Sequence, residues 1–181
     1  MLILRSDKPF PAPPFPVPER ILFIDIDDTV RMGYSTLGHY VNKADEVEIF
    51  PRAIIALQHY KDFGYLVVGV TNQGGIGEGF QSEADCVEAL ARTNELALNL
   101  FDVIIYCPHT TADWCHCRKP NPGMIHRILS WVPELMAISR RHMLMVGDRM
   151  EDKKLAFATG ITFLPAEEWR KTTIGEKENE D

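Results

Sequence analysis

From Arg20 onward, short apolar runs alternate with stretches of helical periodicity. Ile21-Leu22-Phe23-Ile24, Tyr65-Leu66-Val67-Val68-Gly69-Val70, Val103-Ile104-Ile105-Tyr106, Met143-Leu144-Met145-Val146 and Ile161-Thr162-Phe163-Leu164 have strand length and little polar interruption, the pattern of strands buried on both faces. Between them, apolar residues recur at helical spacing. One predicted helix runs from about Pro51 to Phe63, carrying Ile54, Ile55, Leu57 and Tyr60. A long one runs from about Ser82, its expected cap, to Leu100, with Val87, Leu90, Ala91 and Leu98 on one side. Two more start at Pro122, continuing to Leu129, and at Glu151, ending at Thr159 before Gly160. Strand then helix, repeated, predicts an α/β domain over residues 21–170: a three-layer sandwich around a central, mainly parallel sheet.

The flanks differ. Pro9 to Pro18 holds six prolines in ten residues and can be neither helix nor central strand, so residues 1–20 read as an extended, proline-rich arm. Phe10 and Phe15 are the candidates to lay it on the domain surface, the alternative being a ligand for a proline-recognition module. Residues 171–181 end in Glu176-Lys177-Glu178-Asn179-Glu180-Asp181, an acidic, disordered tail by composition.

The 181 residues suffice for one core, and no run is long enough to span a bilayer. The first four apolar residues end at Arg5, too few for a secretory signal, so a cytoplasmic protein working as a monomer is expected. With 19 Lys and Arg against 26 Asp and Glu, the formal charge is −7. That surface repels phosphate backbones and argues against a nucleic-acid partner.

Ligands of open parallel sheets bind outside the carboxyl ends of the strands, and the concentrated polar chemistry falls there. Asp25-Ile26-Asp27-Asp28-Thr29 follows the first strand run, Thr71-Asn72-Gln73-Gly74-Gly75 the second, Cys107 to Pro120 the third and Gly147-Asp148-Arg149-Met150-Glu151-Asp152 the fourth. While the chain stays extended, Asp25 and Asp27 lie on one side, and Asp152 is one helical turn beyond Asp148. Carboxylates ~4 Å apart repel by about 4 kcal/mol at an effective dielectric near 20, so the rim calls for cations. All-oxygen ligands favour Mg²⁺, and Lys119 supplies a second positive charge. The Thr71 hydroxyl and the backbone N–H groups from Asn72 to Gly75 would hold phosphate oxygens, with Arg118 joining beside Lys119. One Asp can attack phosphorus while another handles protons; spacing alone does not say which. Asp28 and Asp152 can also be read as helix caps.

Cys107-Pro108-His109, five residues, then Cys115-His116-Cys117 brings three thiols and an imidazole into eleven residues. In a reduced protein this density reads as a closed, structural Zn²⁺ site of Cys107, His109, Cys115 and Cys117. His116 is the rival ligand. The loop runs directly into Arg118-Lys119, so metal binding would position the lysine. Cys86 reads as a core residue.

Taken in order, Asp25-Ile26-Asp27-Asp28-Thr29, Thr71-Asn72, Lys119 and Gly147-Asp148 with Asp152 resemble the four motifs of the haloacid dehalogenase superfamily of phosphatases, over roughly residues 21–165. The resemblance implies a Rossmann-like fold and Asp25 as nucleophile with Asp27 as general acid/base. It also implies Mg²⁺ held by Asp25, the Asp27 carbonyl and Asp148, with Asp152 in support.

The cysteine loop, Arg118-Lys119-Pro120-Asn121-Pro122-Gly123-Met124 and Thr71-Asn72-Gln73-Gly74-Gly75-Ile76 are similar to the branch of heptose bisphosphate phosphatases and histidinol-phosphatase domains. Arg31 to Ile49 is only 19 residues, too short for a large cap domain. Both enzyme types usually carry Arg and Gly where this chain has Ile26 and Asp28, and the heptose enzymes often have a basic residue at the position of Glu78. The expectation is a Mg²⁺-dependent phosphomonoesterase for a small phosphorylated metabolite, resembling D-glycero-D-manno-heptose 1,7-bisphosphate 7-phosphatases first, histidinol-phosphatases second and polynucleotide 3′-phosphatases third. A reading from another class is an inactive, zinc-containing binding scaffold; loss of the nucleophile or lysine would favour it, and neither is lost.

Overall fold

The computed structural model describes residues 1–13, 16–131 and 133–172. Phe15, expected as a second anchor of the arm, and residues 173–181 of the predicted tail lie outside the described residues.

Six strands form one sheet: β1 (Leu2–Arg5), β2 (Arg20–Ile24), β3 (Tyr65–Asn72), β4 (Val103–Cys107), β5 (Met143–Gly147) and β6 (Thr162–Pro165). Their order is β1-β4-β3-β2-β5-β6, and every neighbouring pair is parallel. The central strand β2 is paired on both sides, Leu22 facing Val67 on one and Leu144 on the other. Alternation divides its side chains. Ile21 and Phe23 enter the apolar layer under α4 (Gly123–Leu129), α5 (Pro133–Ala137) and α6 (Met150–Thr159). Leu22 and Ile24 enter the opposite layer, under α2 (Pro51–Asp62), α3 (Glu83–Leu96) and α7 (Ala166–Trp169). This is the expected three-layer α/β sandwich. Among the described residues no cap domain interrupts it: between Arg31 and Ile49 there is only the short helix α1 (Tyr34–Leu37) and a 3-10 turn at Ala44–Glu46.

Residues 1–20 are not wholly an arm. Leu2–Arg5 pair with Val103–Tyr106 as an edge strand. The run Leu2-Ile3-Leu4 is too short to stand out by periodicity, and only β4 beside it makes it a strand. Proline-rich chain then carries β1 back towards β2 where such crossovers usually hold a helix. The Phe10 ring meets Trp131 edge to face at 5.3 Å, and Trp131 Nε1 donates to the Pro11 carbonyl at 2.6 Å. Arg127 of α4 lies over the Phe10 ring at 4.5 Å and donates to the Lys8 carbonyl.

Ser82 caps α3 by accepting from the Asp85 N–H at 3.1 Å, and Gly160 ends α6 in the left-handed conformation at φ 67°. The inward face of α3 differs from the expected one. Cys86, Ala89, Leu90 and Thr93 are buried, whereas Val87 and Leu98 are exposed. The helix stops at Leu96 and the chain turns through positive φ at Leu98 and Asn99, so Leu98 leaves the helical register.

Candidate active site

The rim segments converge on one cleft of about 720 Å³ whose lining includes Asp25, Asp27, Thr71, Arg118, Lys119 and Asp152. After β2 the chain turns sharply: Val30 and Arg31 both donate to the Ile26 carbonyl. Asp25 and Asp27 therefore share the cleft but not their partners, because the extended backbone ends before them. Asp25 accepts from the Lys119 ammonium. Asp27 is gripped from behind, through Oδ1 by Arg31 Nε at 2.8 Å and through Oδ2 by Gln73 Nε2 at 2.9 Å. Thr71 Oγ1 lies 3.4 Å from the same Asp27 oxygen.

Arg31, fully buried, reaches on to Thr93 Oγ1. Gln73 also donates to Thr71, and its carbonyl oxygen takes the Cys86 thiol at 3.8 Å. Cys86 is thus a core residue that also orients this amide; burial pushes its thiol up to about 12. The tight turn after Ile26 is what carries Arg31, four residues on, back onto Asp27.

Lys119 is buried between Asp25 and Asp152, its ammonium 2.8 Å from Asp152 Oδ1. The other oxygen, Oδ2, accepts from the Arg149 N–H at 3.1 Å, so Asp152 both caps α6 and faces the site. Gly147 makes room for it, since a Cβ there would collide with the Asp152 side chain. Asp148, the exposed member of the group, accepts from Thr29 Oγ1 at 3.2 Å with Arg149 Nε at 3.7 Å.

The carboxylates of Asp25, Asp148 and Asp152 present oxygens within 4.8 Å of one another. The Asp27 side chain is outside this group, so it could reach a cation there only through its backbone carbonyl. Burial raises Asp25 well above the usual carboxylate range, and the charges of Asp152 and Asp27 add to this against the opposing Lys119. Burial and Asp152 likewise raise Asp148. Burial would lower Lys119, but Asp152 and Asp25 outweigh it and hold the ammonium charged. An all-oxygen set of converging carboxylates suits a hard cation that keeps part of its water, such as Mg²⁺.

Lys119 is aimed by Asn72, whose Oδ1 accepts from the Lys119 N–H at 2.9 Å and whose Nδ2 donates to the Lys119 carbonyl at 3.1 Å. One expectation for the turn after β3 changes: the Gln73 N–H, expected to face phosphate, donates to the Cys107 carbonyl at 2.7 Å. Gly74 and Gly75 do line the cleft. Arg118 lines it too, with Nη1 on the His109 carbonyl at 3.0 Å.

Ile26 and Asp28, the two departures in the first motif, have physical accounts. Ile26 is fully buried in the α2/α3 layer. Asp28 sits at φ 58°, a left-handed position that Gly or Asp accepts more readily than most residues. Its carboxylate accepts from Gly33 N, Ser35 N and Thr36 Oγ1 at 3.0–3.1 Å. Burial would raise that carboxyl; the hydrogen bonds from Ser35, Gly33 and Thr36 outweigh it and hold it below the usual range. The cap reading of Asp28 therefore applies.

Cys107, His109, Cys115 and Cys117 come together as expected. Their sulfur–sulfur distances are 3.3–3.7 Å, and His109 Nδ1 lies 3.2 Å from Cys117 and 3.5 Å from Cys107. Tetrahedral bonds of about 2.3 Å to sulfur and about 2.0 Å to nitrogen require edges of about 3.8 and 3.5 Å, so the residues fit a closed Zn²⁺ site. Burial raises the Cys107 thiol; burial would raise Cys115 too, but hydrogen bonds to its sulfur, led by the Arg118 N–H, outweigh it and lower that thiol. The far ring nitrogen, His109 Nε2, is 3.6 Å from Asp7 at the end of β1. No signal along the chain points to Asp7 as a partner of His109.

The sequence model of the family described as polynucleotide kinase 3 phosphatase matches residues 20–170. With the fold and the four assembled motifs, it makes the chain a member of that phosphatase family, within the haloacid dehalogenase superfamily. Inside the superfamily it is related to heptose bisphosphate phosphatases and to histidinol-phosphatase domains. It is 36% identical over 146 residues to the D-glycero-beta-D-manno-heptose-1,7-bisphosphate 7-phosphatase of Pasteurella multocida, covering 74% of this chain and 73% of that one. It is 34% identical over 150 residues to the histidine biosynthesis bifunctional protein HisB of Legionella pneumophila, covering 81% of this chain but 41% of that longer protein. The crystal structure of D,D-heptose 1,7-bisphosphate phosphatase from B. bronchiseptica, complexed with magnesium and phosphate, superposes with a TM-score of 0.68 at 25% identity, covering 81% and 78% of the two chains. Among the described residues, no helix is long and apolar enough to cross a membrane.

Proposed function

We propose that this phosphatase removes a phosphoryl group from a small phosphorylated sugar by way of an aspartyl phosphate on Asp25. The observation that carries the reading is the convergence of the Asp25, Asp148 and Asp152 oxygens within 4.8 Å, with Lys119 between Asp25 and Asp152 in the same cleft. Asp25, the Asp27 carbonyl, Asp148 and Asp152 would hold Mg²⁺; Cys107, His109, Cys115 and Cys117 would hold Zn²⁺. When bound, Mg²⁺ offsets phosphate charge, as a Lewis acid does.

Asp25 Oδ1 is engaged by Lys119, which leaves Oδ2 to attack phosphorus. As that bond forms, the bond from phosphorus to the sugar oxygen breaks, and Asp27 gives its proton to the departing oxygen. Arg31 and Gln73 keep Asp27 aimed through both half-reactions. Water then attacks the aspartyl phosphate, Asp27 takes its proton, and phosphate leaves with Asp25 regenerated. Thr71, Arg118 and the glycine turn surround the phosphoryl oxygens, and Lys119 balances their charge.

Heptose 1,7-bisphosphates, named for the relatives, are the first substrates to assay and histidinol phosphate the second. A 3′-phosphorylated oligonucleotide belongs beside them because of the family match, although a charge of −7 opposes it. Phosphate release with Mg²⁺ across this panel, ranked by kcat/KM, tests the reading. Absence of release from every compound, or release undiminished by a chelator, would refute it.

A further inference from the structure

Four aromatic side chains stand around the cleft instead of packing beneath it. Trp114 is 89% exposed, Phe80 75%, Tyr40 57% and Tyr34 52%, and all four line the cleft that holds Asp25 and Lys119. They come from three separate segments: Tyr34 and Tyr40 from α1 and the chain after it, Phe80 from the turn after β3, Trp114 from the cysteine loop. The Tyr34 and Tyr40 rings are 5.0 Å apart. Rings left this open forgo the free energy of burial, so folding gives no reason for collecting them at one mouth. Trp114 adds a second cost. It lies at φ 46°, where bulky residues are rare, immediately before the metal-site residue Cys115.

The polar groups beside the rings narrow the ligand. Glu78 and Glu151 line the same cleft, and a carboxylate can only accept hydrogen bonds. Ring faces carry negative quadrupole charge and attract polarised C–H groups. Flat apolar faces beside acceptors complement a hydroxylated ring, whose C–H face stacks while its O–H groups donate.

We propose that Trp114, Phe80 and the Tyr34–Tyr40 pair form a leaving-group subsite that stacks on the ring of a phosphorylated sugar, with Glu78 and Glu151 accepting from its hydroxyl groups. This rests on the phosphatase reading above and gives the cysteine loop a second task, presenting Trp114 as well as leading into Lys119. Loading of the metal site would then govern substrate affinity as well as the lysine's position.

The test compares D-glycero-D-manno-heptose 1,7-bisphosphate and glucose 6-phosphate, which carry rings, with acetyl phosphate, which does not. In the wild-type protein with Mg²⁺, at least one sugar phosphate has the higher kcat/KM. Trp114→Ala and Phe80→Ala each raise KM for that sugar about 3- to 10-fold relative to acetyl phosphate, and Trp114→Phe restores most of the loss. Zinc content shows whether Trp114→Ala has kept its loop; where it has not, Phe80→Ala, outside that loop, decides. Equal losses on sugar and acetyl phosphate, no loss in either alanine variant, or a wild type that prefers acetyl phosphate to both sugars would each overturn the subsite. A wild type that releases no phosphate even from acetyl phosphate removes the phosphatase reading itself, and the subsite with it.

Discussion

Replacing Asp25 by Asn should abolish phosphate release yet leave a folded protein, and the site's electrostatics say why both should hold. Asp25 Oδ1 lies 2.5 Å from the Lys119 ammonium, and its carboxylate is within 4.8 Å of those of Asp148 and Asp152. At an effective dielectric near 20, opposite charges at the shorter distance attract by about 7 kcal/mol, and like charges no farther apart than the longer one repel by about 3 kcal/mol or more each. The two repulsions offset much or all of the attraction, and burial adds a further cost to the Asp25 charge. Asn keeps the shape and removes the repulsions and the buried charge together with the attraction, so without a divalent ion the variant should be no less stable than the wild type by Tm. Loss of the nucleophile should cost ~10⁴- to 10⁶-fold in kcat. The metal response separates this from general damage. Mg²⁺ at 100 times its Kd would stabilise the wild type by ~2.7 kcal/mol, and Asp25→Asn should lose most of that gain. Phosphate release and thermal unfolding with and without Mg²⁺ measure the two effects. Appreciable turnover in Asp25→Asn, or a Mg²⁺-induced Tm rise equal to that of the wild type, would show that Asp25 is neither nucleophile nor ligand.

Asn72→Ala removes two hydrogen bonds to the Lys119 backbone; it should cost about 1–3 kcal/mol in denaturant unfolding and ~10- to 100-fold in kcat through a misplaced ammonium, and unchanged kcat would return Asn72 to a passive role. Cys115→Ser should lower zinc stoichiometry and, because the loop leads into Lys119, depress phosphate release as well; normal zinc content by elemental analysis would count against the metal site. The Cys86 thiol, pushed up to about 12 by burial, should resist iodoacetamide at pH 9 in the native, metal-loaded protein and react once unfolded. Since an unfolded cysteine loses its proton near 8.5, the native state binds more protons between that pH and about 12, so Cys86 costs stability as pH rises through this window. Alkylation of native Cys86 at the rate of a free thiol would contradict its burial.

Much of this protein was legible along the chain because the signals are local. Buried parallel strands need continuous apolar runs, and β2 to β6 fell close to where those runs lie. A parallel sheet puts all its strand ends at one rim, so the residues that follow the strands are candidate site residues on pattern alone. Cys107, His109, Cys115 and Cys117 crowd into one loop, so their meeting needed no long-range fold.

Contacts between distant segments were decided only by tertiary structure. Gln73 on Asp27, Asn72 on the Lys119 backbone, Asp7 beside His109 and the edge strand at Leu2–Arg5 depend on which strands become neighbours. Periodicity carries no information on these points. Apolar pattern specifies which face is buried, since burial is non-directional and sums over many residues; the partner of a single polar group depends on a few ångströms of packing between elements, and that is settled when the layers close.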